Sequence, residues 1–422
     1  MNIVQWIINK HLENNNKLLD TNYRLVNLDF IYTNGLTMAS AINEIKKIKC
    51  IEIWDSKKIA IFPDHFTPNK DIPTANMKKK VREWARAFSI KNYFEIGDVG
   101  IEHIQFIEKQ FVRPGSIVIG GDSHSCTLGA VGILSLGVGT TDLAFGILTG
   151  KAWLKLPEVI SIELIGVFKN DLISGKDLIL HIISKFSTAY FNYKVLVFSG
   201  SGCRALSLSD RISICNMTVE GGAKTALFLP DKEFLISNNY LNFDEEELEA
   251  MSNNLNFDEK IQINLNEVEL LIACPDSPRN VKPLKEVELR KIKIDQVFVG
   301  SCTNGSIDDL RKFYKVIKGK RKNPYVRVIV IPATPLVYKL ALKEGIISEL
   351  LNFGAVVGPP TCGPCLGGHM GVIGDSEVCL ATTNRNFRGR MGSVKGSIYL
   401  CSPTVAGYSA IKGYICGVGR DK

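Results

Sequence analysis

Long apolar runs are missing from this chain of 422 residues. The most apolar glycine-rich stretch, residues 128–139, is about a dozen residues long, whereas a membrane-spanning helix needs about 20 apolar residues. The first residues also lack a basic region, a long apolar region and a small-residue cleavage site, so we expect no signal peptide. The sequence therefore predicts a cytoplasmic protein that does not cross a membrane.

A regular framework of cysteines is missing as well. The chain has eleven cysteines, an odd number at irregular spacing, which is unlike a disulfide scaffold and favours a reducing compartment. The glycine-rich run at residues 129–150 does not match G-x-G-x-x-G, so the sequence gives no support to a dinucleotide site.

The chain carries no acidic excess, since its formal net charge is +8. Its basic runs, at residues 78–80 and 318–322, fall in helix-like segments that we expect to face solvent. A nucleic-acid surface would gather such residues with aromatic side chains between them, so we expect no nucleic-acid partner. The basic balance instead suits a small polyanionic substrate.

Hydrophobic residues make up 45% of the chain and charged residues 22%, which is typical of a globular protein. A chain of this length is too large for one hydrophobic core, so we expect two or three domains. Short apolar segments alternate with amphipathic ones, which predicts an α/β fold.

Two cysteines three residues apart, Cys362 and Cys365, lie in the sequence T-C-G-P-C-L-G-G-H-M-G at residues 361–371. The surrounding proline and glycines exclude a regular helix or strand, so this stretch is predicted to be a tight loop. A third cysteine, Cys302, follows an apolar strand predicted at residues 297–299. Three thiolates favour an iron–sulfur cluster over structural zinc, which takes a closed set of four ligands.

Three other interpretations of these cysteines stay open at this stage. Cys-Gly-Pro-Cys is also the sequence of a thioredoxin-type redox pair, although the residues that follow it start a helix poorly. A zinc site could recruit His369 or Cys274 as its fourth ligand. The three cysteines could also be plain buried thiols.

Polar side chains follow two of the predicted strands. Asp64 and His65 come directly after the strand at residues 58–62, and Asp122, Ser123 and His124 follow the strand at residues 116–119. In α/β folds ligands bind at the carboxyl ends of strands. An aspartate beside a histidine can also hold its tautomer and raise its basicity.

Further polar residues lie on turns and on one predicted helix. They are His103 after a turn, Asn216 and Glu220 on a helix predicted at residues 212–222, and Asn384, Arg385 and Arg390 in an arginine-rich turn. The spacing of four residues predicts that Asn216 and Glu220 share one helix face. The arginines suit bidentate binding of carboxylates. Together these sets predict one active site assembled from several parts of the chain.

The same motifs, in this order, resemble the large subunits of two-subunit hydro-lyases of the aconitase superfamily, the group of 3-isopropylmalate dehydratase and homoaconitase. The resemblance runs from about residue 29 to the C-terminus. It rests on residues 63–71, 100–103, 120–142, 214–220, 300–305, 359–371 and 384–392. Asn34 departs from the pattern, since an acidic residue more often stands there, and residues 199–206 match it loosely.

The resemblance implies three α/β/α domains of the aconitase type around a [4Fe–4S] cluster, without the mobile fourth (swivel) domain of single-chain aconitases. The domains would span residues 1–155, 156–285 and 286–422. The cluster ligands would be Cys302, Cys362 and Cys365, with one iron not ligated by protein. The catalytic residues would be Asp64, His65, His103, Asp122, Ser123, His124 and Glu220. The substrate-binding residues would be Asn216, Asn384, Arg385 and Arg390.

The implied activity is dehydration and rehydration of a hydroxy acid with two or three carboxylates. Isomerisation of 3-isopropylmalate in leucine biosynthesis is the preferred substrate assignment, with homoaconitate or a methylmalate-type acid as the alternative. The missing swivel domain implies that a separate small subunit is required for activity. A cluster-binding relative without catalysis is a further alternative, which the retained acidic, histidine and arginine residues disfavour.

Overall fold

The apolar segments of the sequence form three sheets and a two-stranded ribbon in the computed structural model, which describes residues 1–13, 22–48 and 52–418. We number the three sheets in the order in which they occur along the chain. The α/β fold class predicted from the alternation of segments is confirmed.

The first sheet has five parallel strands in the order β4-β3-β2-β5-β6, and the antiparallel ribbon pairs β1 with β7. The strands of this part are β1 (Tyr23–Asn27), β2 (Phe30–Asn34), β3 (Ile59–Phe62), β4 (Asn92–Tyr93), β5 (Ile117–Gly120), β6 (Leu134–Gly137) and β7 (Lys151–Lys155). The helices are α1 (Ile3–Lys10), α2 (Gly35–Ile48), α3 (Ile72–Ala87), α4 (Glu102–Lys109) and α5 (Thr140–Thr149).

The second sheet has four parallel strands in the order β10-β9-β8-β11. Its strands are β8 (Val159–Ile165), β9 (Val195–Ser199), β10 (Thr225–Phe228) and β11 (Glu259–Asn264). The helices are α6 (Gly175–Lys185), α7 (Thr188–Phe191), α8 (Leu208–Met217), α9 (Lys232–Ser237) and α10 (Glu245–Asn253).

The third sheet has seven strands in the order β13-β12-β18-β17-β14-β15-β16, with the five strands from β18 to β16 parallel to one another. Its strands are β12 (Leu271–Ala273), β13 (Val281–Pro283), β14 (Gln296–Val299), β15 (Arg327–Val330), β16 (Val356–Val357), β17 (Val378–Ala381) and β18 (Ser397–Leu400). The helices are α11 (Leu284–Glu288), α12 (Ser301–Asn304), α13 (Ile307–Ile317), α14 (Pro335–Lys343), α15 (Ile346–Phe353) and α16 (Pro403–Lys412).

The three sheets share a hydrophobic core. One cluster of buried side chains contains Phe62 of β3, Phe198 of β9 and Phe298 of β14, so it runs through all three. Strand β3 is buried along its whole length, and so is β5, as expected for parallel strands covered on both faces. A side chain at Gly100, which precedes α4, would lie 2.7 Å from the Cα atom of Thr334, so glycine lets the first and third parts of the chain approach closely.

Several sequence predictions differ from the structure in detail. The helix predicted at residues 212–222 ends at Met217 and continues as a 3₁₀ helix at Thr218–Gly221, so Asn216 and Glu220 lie on different elements. Strand β6 lies inside a run predicted as helix and loop, because the apolar alternation of Leu134 and Leu136 was hidden among glycines. Strands β12 and β13 pair with the third sheet although they precede the predicted boundary at residue 285, and the three-domain division remains a prediction. Within the described ranges, no helix is long and apolar enough to span a bilayer.

Candidate active site

Four parallel strands of the first and third sheets end around one cavity. The residues that follow β3 and β5 include Asp64, His65 and Asp122, and those that follow β14 and β17 include Cys302 and Asn384. Most of the predicted site residues line this cavity: Asp64, His65, His103, Asp122, His124, Cys302, Cys362, Cys365, Asn384 and Arg390. The other four, Ser123, Asn216, Glu220 and Arg385, are hydrogen-bonded to members of this set or to one another.

A larger cavity, of about 1000 Å³, lies between the loop at Ser201–Ala205 and helices α9 and α10. None of the predicted site residues lines it. The chemistry predicted from the sequence is therefore concentrated in the smaller, more enclosed cavity.

The three predicted cluster ligands face this cavity from two segments: Cys302 lies in the short helix α12, and Cys362 and Cys365 lie at the 3₁₀ helix Gly363–Leu366. Cys302 directly follows a sharp turn, in which Gly300 has a φ of 152° and Ser301 a φ of 76°. Cys362 and Cys365 lie on a loop that is tied to the first sheet by the Thr361 hydroxyl, which donates to the Asp64 carbonyl at 2.7 Å. The three cysteines are 7%, 9% and 6% exposed, so solvent reaches their side chains poorly.

Polar groups surround the three sulfur atoms. The Asn384 amide donates to Cys302 Sγ at 3.3 Å, and the Ser301 hydroxyl donates to Cys365 Sγ at 3.8 Å. Burial raises the pKa of the Cys302 thiol to about 12 and that of the Cys362 thiol well above its usual range. Both thiols are therefore neutral by themselves, and a bound metal would have to displace their protons.

The structure discriminates among the interpretations of these cysteines. Neither His369 nor Cys274, the candidates for a fourth zinc ligand, lines the cavity. The stretch Gly363–Leu366 is a four-residue 3₁₀ helix, whereas a thioredoxin-type pair should open an amphipathic helix. None of the other described free cysteines lines the cavity, so these three are set apart from the thiols of the core. This arrangement fits a [4Fe–4S] cluster, whose thiolates each bind a different iron and surround a space.

An Asp–His pair lies beside the cysteines. The Oδ1 atom of Asp64 is 2.7 Å from Nδ1 of His65, and Nε2 of His65 is 3.8 Å from Cys362 Sγ. Although burial opposes the charged imidazole, Asp64 raises the pKa of His65 above its usual value. His65 can therefore carry a proton at its Nε2, on the cavity side.

A second carboxylate, Asp122, joins two further histidines. Its Oδ1 atom lies 3.3 Å from Nε2 of His103 and 3.2 Å from Nδ1 of His124, whose Nε2 is 2.8 Å from Glu220. Burial works against ionisation, but the two histidines hold the pKa of Asp122 well below its usual range. Burial likewise opposes a charge on His124, yet Asp122 and Glu220 raise its pKa. The cavity is thus lined by imidazoles supported by carboxylates.

The two predicted substrate-binding arginines differ in their surroundings. Arg385 is already paired, since its Nε donates to Glu220 at 2.7 Å and its Nη2 donates to the Ser123 hydroxyl at 3.0 Å. Arg390 lines the cavity, and its buried Nε atom has no hydrogen-bond partner among the residues that the structure describes. Arg390 is therefore the arginine with a donor available for an anion.

The two predicted asparagines form one unit. Asn384 donates from its amide to Oδ1 of Asn216 at 3.0 Å, and Asn216 in turn donates to the Thr127 hydroxyl at 2.8 Å. Only Asn384 lines the cavity, so Asn216 can act there through Asn384.

Glu102, Ser301 and Tyr32 belong to the site but were missed from the sequence. Tyr32 comes from the interior of β2, and its hydroxyl is 2.8 Å from Nδ1 of His103. Glu102 is adjacent to His103, and that adjacency was the only signal that could have identified it. The Asn34 amide donates to Glu102 at 3.1 Å, so an acidic residue at position 34 would set a second carboxylate against Glu102.

Comparisons with known proteins show the family to which the chain is similar. The model of the aconitase family (aconitate hydratase) matches residues 7–413. The 3-isopropylmalate dehydratase large subunit of Caldicellulosiruptor bescii is 46% identical over 389 residues, which is 92% of this chain and 90% of that protein. The 3-isopropylmalate dehydratase large subunit 1 of Pyrococcus abyssi is 44% identical over 394 residues, which is 93% of this chain and 92% of that protein.

Among solved structures, the holo-form aconitase X of Thermococcus kodakaraensis is similar to 94% of this chain and 88% of its own, with 13% identity and a TM-score of 0.49. The family assignment rests on the sequence matches and not on this structural similarity. The resemblance inferred from the motifs is confirmed, because the family model and the relatives both cover nearly the whole chain, and this chain belongs to the aconitase family.

Proposed function

We propose that this chain is the iron–sulfur subunit of a 3-isopropylmalate dehydratase, a hydro-lyase that interconverts 2-isopropylmalate and 3-isopropylmalate by dehydration and rehydration in leucine biosynthesis. The observation that carries this proposal is the cavity where three buried cysteines and two aspartate–histidine sets meet Arg390, whose Nε atom has no hydrogen-bond partner among the described residues. The reaction class follows from the family, and the substrate follows from the names of relatives about 45% identical over most of their length.

The cofactor in this proposal is a [4Fe–4S] cluster held by Cys302, Cys362 and Cys365, which leaves one iron without a protein ligand. When bound, such a cluster supplies a Lewis acid that polarises the substrate hydroxyl and a carboxylate. The Asn384 amide and the Ser301 hydroxyl would hydrogen-bond to its thiolates, which is the kind of contact that tunes a cluster's reduction potential.

The proposed roles of the other residues follow from their contacts. His65, charged with the help of Asp64, donates a proton from Nε2 to the leaving hydroxyl. Arg390 binds a substrate carboxylate through its Nε, which has no hydrogen-bond partner within the described part of the chain. Arg385, which also donates to the Ser123 hydroxyl, holds Glu220 beside His124, so this set positions the second proton carrier of the cavity.

A separate small subunit completes the proposed enzyme. The relatives are named as large subunits, which indicates a smaller partner for them. For this chain we infer that the partner supplies the base that removes the carbon-bound proton and the pocket for the variable substituent of the substrate. Cytoplasmic location is part of the same proposal, and it is supported by the free state of the ten cysteines in the described part of the chain.

The test is turnover by the chain after anaerobic reconstitution with ferrous iron and sulfide, alone and with its small subunit. Three acids are compared as substrates: 3-isopropylmalate, homoaconitate and a methylmalate-type acid. The proposal predicts interconversion of the isopropylmalates only when both subunits are present. Faster turnover of another acid would reassign the substrate. A complete cluster with no turnover of any of the three would support a relative that has lost catalysis.

A further inference from the structure

Glu102 is a buried carboxyl group placed between the two aspartates of the site. It begins helix α4 and is 1% exposed. Its backbone N–H donates to Oδ2 of Asp64 at 3.0 Å, and its Oε1 atom is 3.9 Å from Nε2 of His103. Nε2 of His103 is also 3.3 Å from Oδ1 of Asp122. The side chains of Glu102, His103 and Asp122 each offer one nitrogen or oxygen atom, and these three atoms lie within 4.8 Å of one another.

The surroundings of Glu102 do not suit a carboxylate. Its Oε1 atom accepts one hydrogen bond, from Asn34, while its buried Oε2 atom has no hydrogen-bond partner in the described parts of the chain. An ionised carboxylate accepts hydrogen bonds at both oxygens, and leaving one buried without a donor is costly. In the protonated acid, Oε2 carries far less negative charge, so burying it without a donor costs less. This environment therefore favours the neutral form of Glu102.

The groups around Glu102 from other elements are two carboxylates, a phenol and the imidazole of His65, whose charge is paired with Asp64. Asp64 and His65 follow β3, Asp122 follows β5, and Tyr32 lies on β2, while His103 is its neighbour on α4. Burial raises the pKa of Glu102 well above its usual value, and the charges of Asp64 and Asp122 raise it further.

We propose that Glu102 is a positioning residue that works as a neutral carboxylic acid, filling the space between Asp64 and Asp122 without adding a negative charge to the cavity. This inference rests on the proposed function, because a dicarboxylate substrate and a cluster on three thiolates already bring negative charge to the same place. One further unit charge a few ångströms away would weaken binding of a dianion roughly tenfold or more at the dielectric of a protein site. Glu102 would thereby act on substrate affinity through charge and hold Asp64 in place through its backbone N–H.

The experiment compares the reconstituted two-subunit enzyme with its Glu102→Gln and Glu108→Gln variants. Glutamine keeps the size of glutamate and cannot ionise. Glu108 is the matched control, since it is a half-buried carboxyl group on the same helix, α4, but lies outside the cavity. Infrared spectra record the carbonyl band of a protonated carboxylic acid above pH 7, where Glu108 becomes ionised, and steady-state kinetics record KM and kcat as the pH is raised.

The proposal predicts a protonated-carboxyl band that persists above pH 7, where Glu108, with a pKa of about 7, becomes ionised. Glu102→Gln removes this band and Glu108→Gln leaves it in place. At neutral pH Glu102→Gln lowers kcat/KM by less than tenfold, because glutamine matches the neutral acid in size and charge. At alkaline pH the KM of the wild type and of Glu108→Gln rises before that of Glu102→Gln, with a smaller effect on kcat.

Two results would overturn the inference. One is a wild-type spectrum without the band together with a loss of at least tenfold in kcat/KM in Glu102→Gln, which would show that Glu102 works ionised. The other is a stoichiometric divalent cation, beyond the iron of the cluster, that is lost with Glu102→Gln, since Glu102, His103 and Asp122 could converge on such an ion. The infrared result needs no turnover, so a neutral Glu102 in an enzyme inactive on isopropylmalates would refute the proposed function alone.

Discussion

Arg385 and Arg390 lie five residues apart in one turn, yet their contacts indicate different roles. The guanidinium of Arg385 holds Glu220 and Ser123, so replacing it would disturb the proton-carrying set around His124. The buried Nε of Arg390 has no partner within the described ranges, and the side chain lines the cavity. A buried donor without an acceptor is costly unless a ligand supplies one. Arg390 is thus the stronger candidate for the substrate carboxylate.

For this reason we predict that Arg390→Lys lowers kcat/KM by roughly ten- to a hundredfold while the cluster still assembles. Lysine keeps the charge but loses the planar fork, and a charge-assisted contact is worth about 1.5–3 kcal/mol. Steady-state kinetics on the two-subunit enzyme, with iron and sulfide analysis, provide the measurement. Arg388→Lys is the control, because Arg388 is exposed and pairs with Asp276 away from the cavity. Unchanged kinetics in Arg390→Lys would show that this side chain does not contact substrate.

Residues with a local signal could be predicted from the sequence. Cys362 and Cys365 could be identified from their spacing, and Asp64 and His65 from their position after an apolar strand. Ser301 and Tyr32 could not be identified, because their roles depend on a positive φ and on a contact with His103, 71 residues away. The different roles of Arg385 and Arg390 were likewise invisible, since Glu220 reaches Arg385 from another part of the chain.

Helix α4 connects the site to the contact between the first and third parts of the chain. Its first turn carries Glu102 and His103, and near its end the Glu108 carboxylate accepts a hydrogen bond from the Thr334 hydroxyl at 2.6 Å. Burial raises the pKa of Glu108 to about 7, although this hydrogen bond acts in the opposite direction. Folding therefore favours the protonated form of Glu108.

Because Glu108 binds its proton more tightly in the folded state, the stability of the fold depends on pH. Because the folded pKa, about 7, lies above the ordinary value of 4.5 for a glutamate, the contribution of Glu108 to stability is complete below about pH 4.5 and is lost as the pH rises through about 7. The free energy of unfolding should fall by about 2–3 kcal/mol over this window through this one group. A glutamine at this position avoids the loss.

We therefore predict that Glu108→Gln and wild type melt alike near pH 4.5, and that the variant melts higher by several degrees above pH 7. Thermal melts at matched cluster content provide the measurement, with Glu83→Gln on the exposed face of α3 as the control. A constant difference at all pH values would show that Glu108 does not change its protonation on folding.

Among helices and strands, most strands could be predicted from the sequence, but the point where α8 gives way to a 3₁₀ helix could not. The apolar segments before Asp64, Asp122 and Cys302 were recognised because fully buried parallel strands are continuous apolar runs. The 3₁₀ helix that carries Glu220 was read as a continuation of α8. This 3₁₀ helix ends at Gly222, whose φ is 101° and whose N–H donates to the Val219 carbonyl. The spacing of apolar residues in the sequence does not reveal this change of helix type.

Across the whole molecule, Lys176 ties the second part of the chain to the cysteine-bearing third part. It lies on α6 with no exposed surface and donates to the carbonyls of Thr382 and Thr383 at 2.8 and 2.6 Å. It also donates at 3.2 Å to Asn304, which ends the helix that carries Cys302. One ammonium therefore braces the loop before Asn384 and the helix of Cys302 together.

The prediction is that Lys176→Met lowers both stability and the amount of cluster bound. Removing the ammonium leaves three buried acceptors unsatisfied, which costs at least about 3 kcal/mol. The measurements are the melting temperature and the iron and sulfide content after identical reconstitution. Lys315→Met serves as the control, because Lys315 joins the same two parts of the chain through an exposed ion pair with Asp171. Equal cluster content in the two variants would refute the bracing role.

The architecture as a whole was predictable only in outline. Alternating apolar and amphipathic segments predict an α/β fold, and the motifs indicate the family. The way in which three sheets meet could not be predicted, because it depends on contacts such as that of Lys176 with Thr382, which lie 206 residues apart.

The central claim is that three thiolates hold a cluster whose fourth iron has no protein ligand. The most direct measurement is electron paramagnetic resonance of the chain purified in air, with iron and sulfide analysis before and after ferrous iron and thiol are added. The account predicts a three-iron cluster in air that returns to four irons, in the wild type and in Cys203→Ser, whose sulfur lies outside the cavity. In Cys302→Ser the cluster should be absent. One tightly bound zinc without sulfide, or a reversible disulfide between Cys362 and Cys365 without metal, would contradict the account.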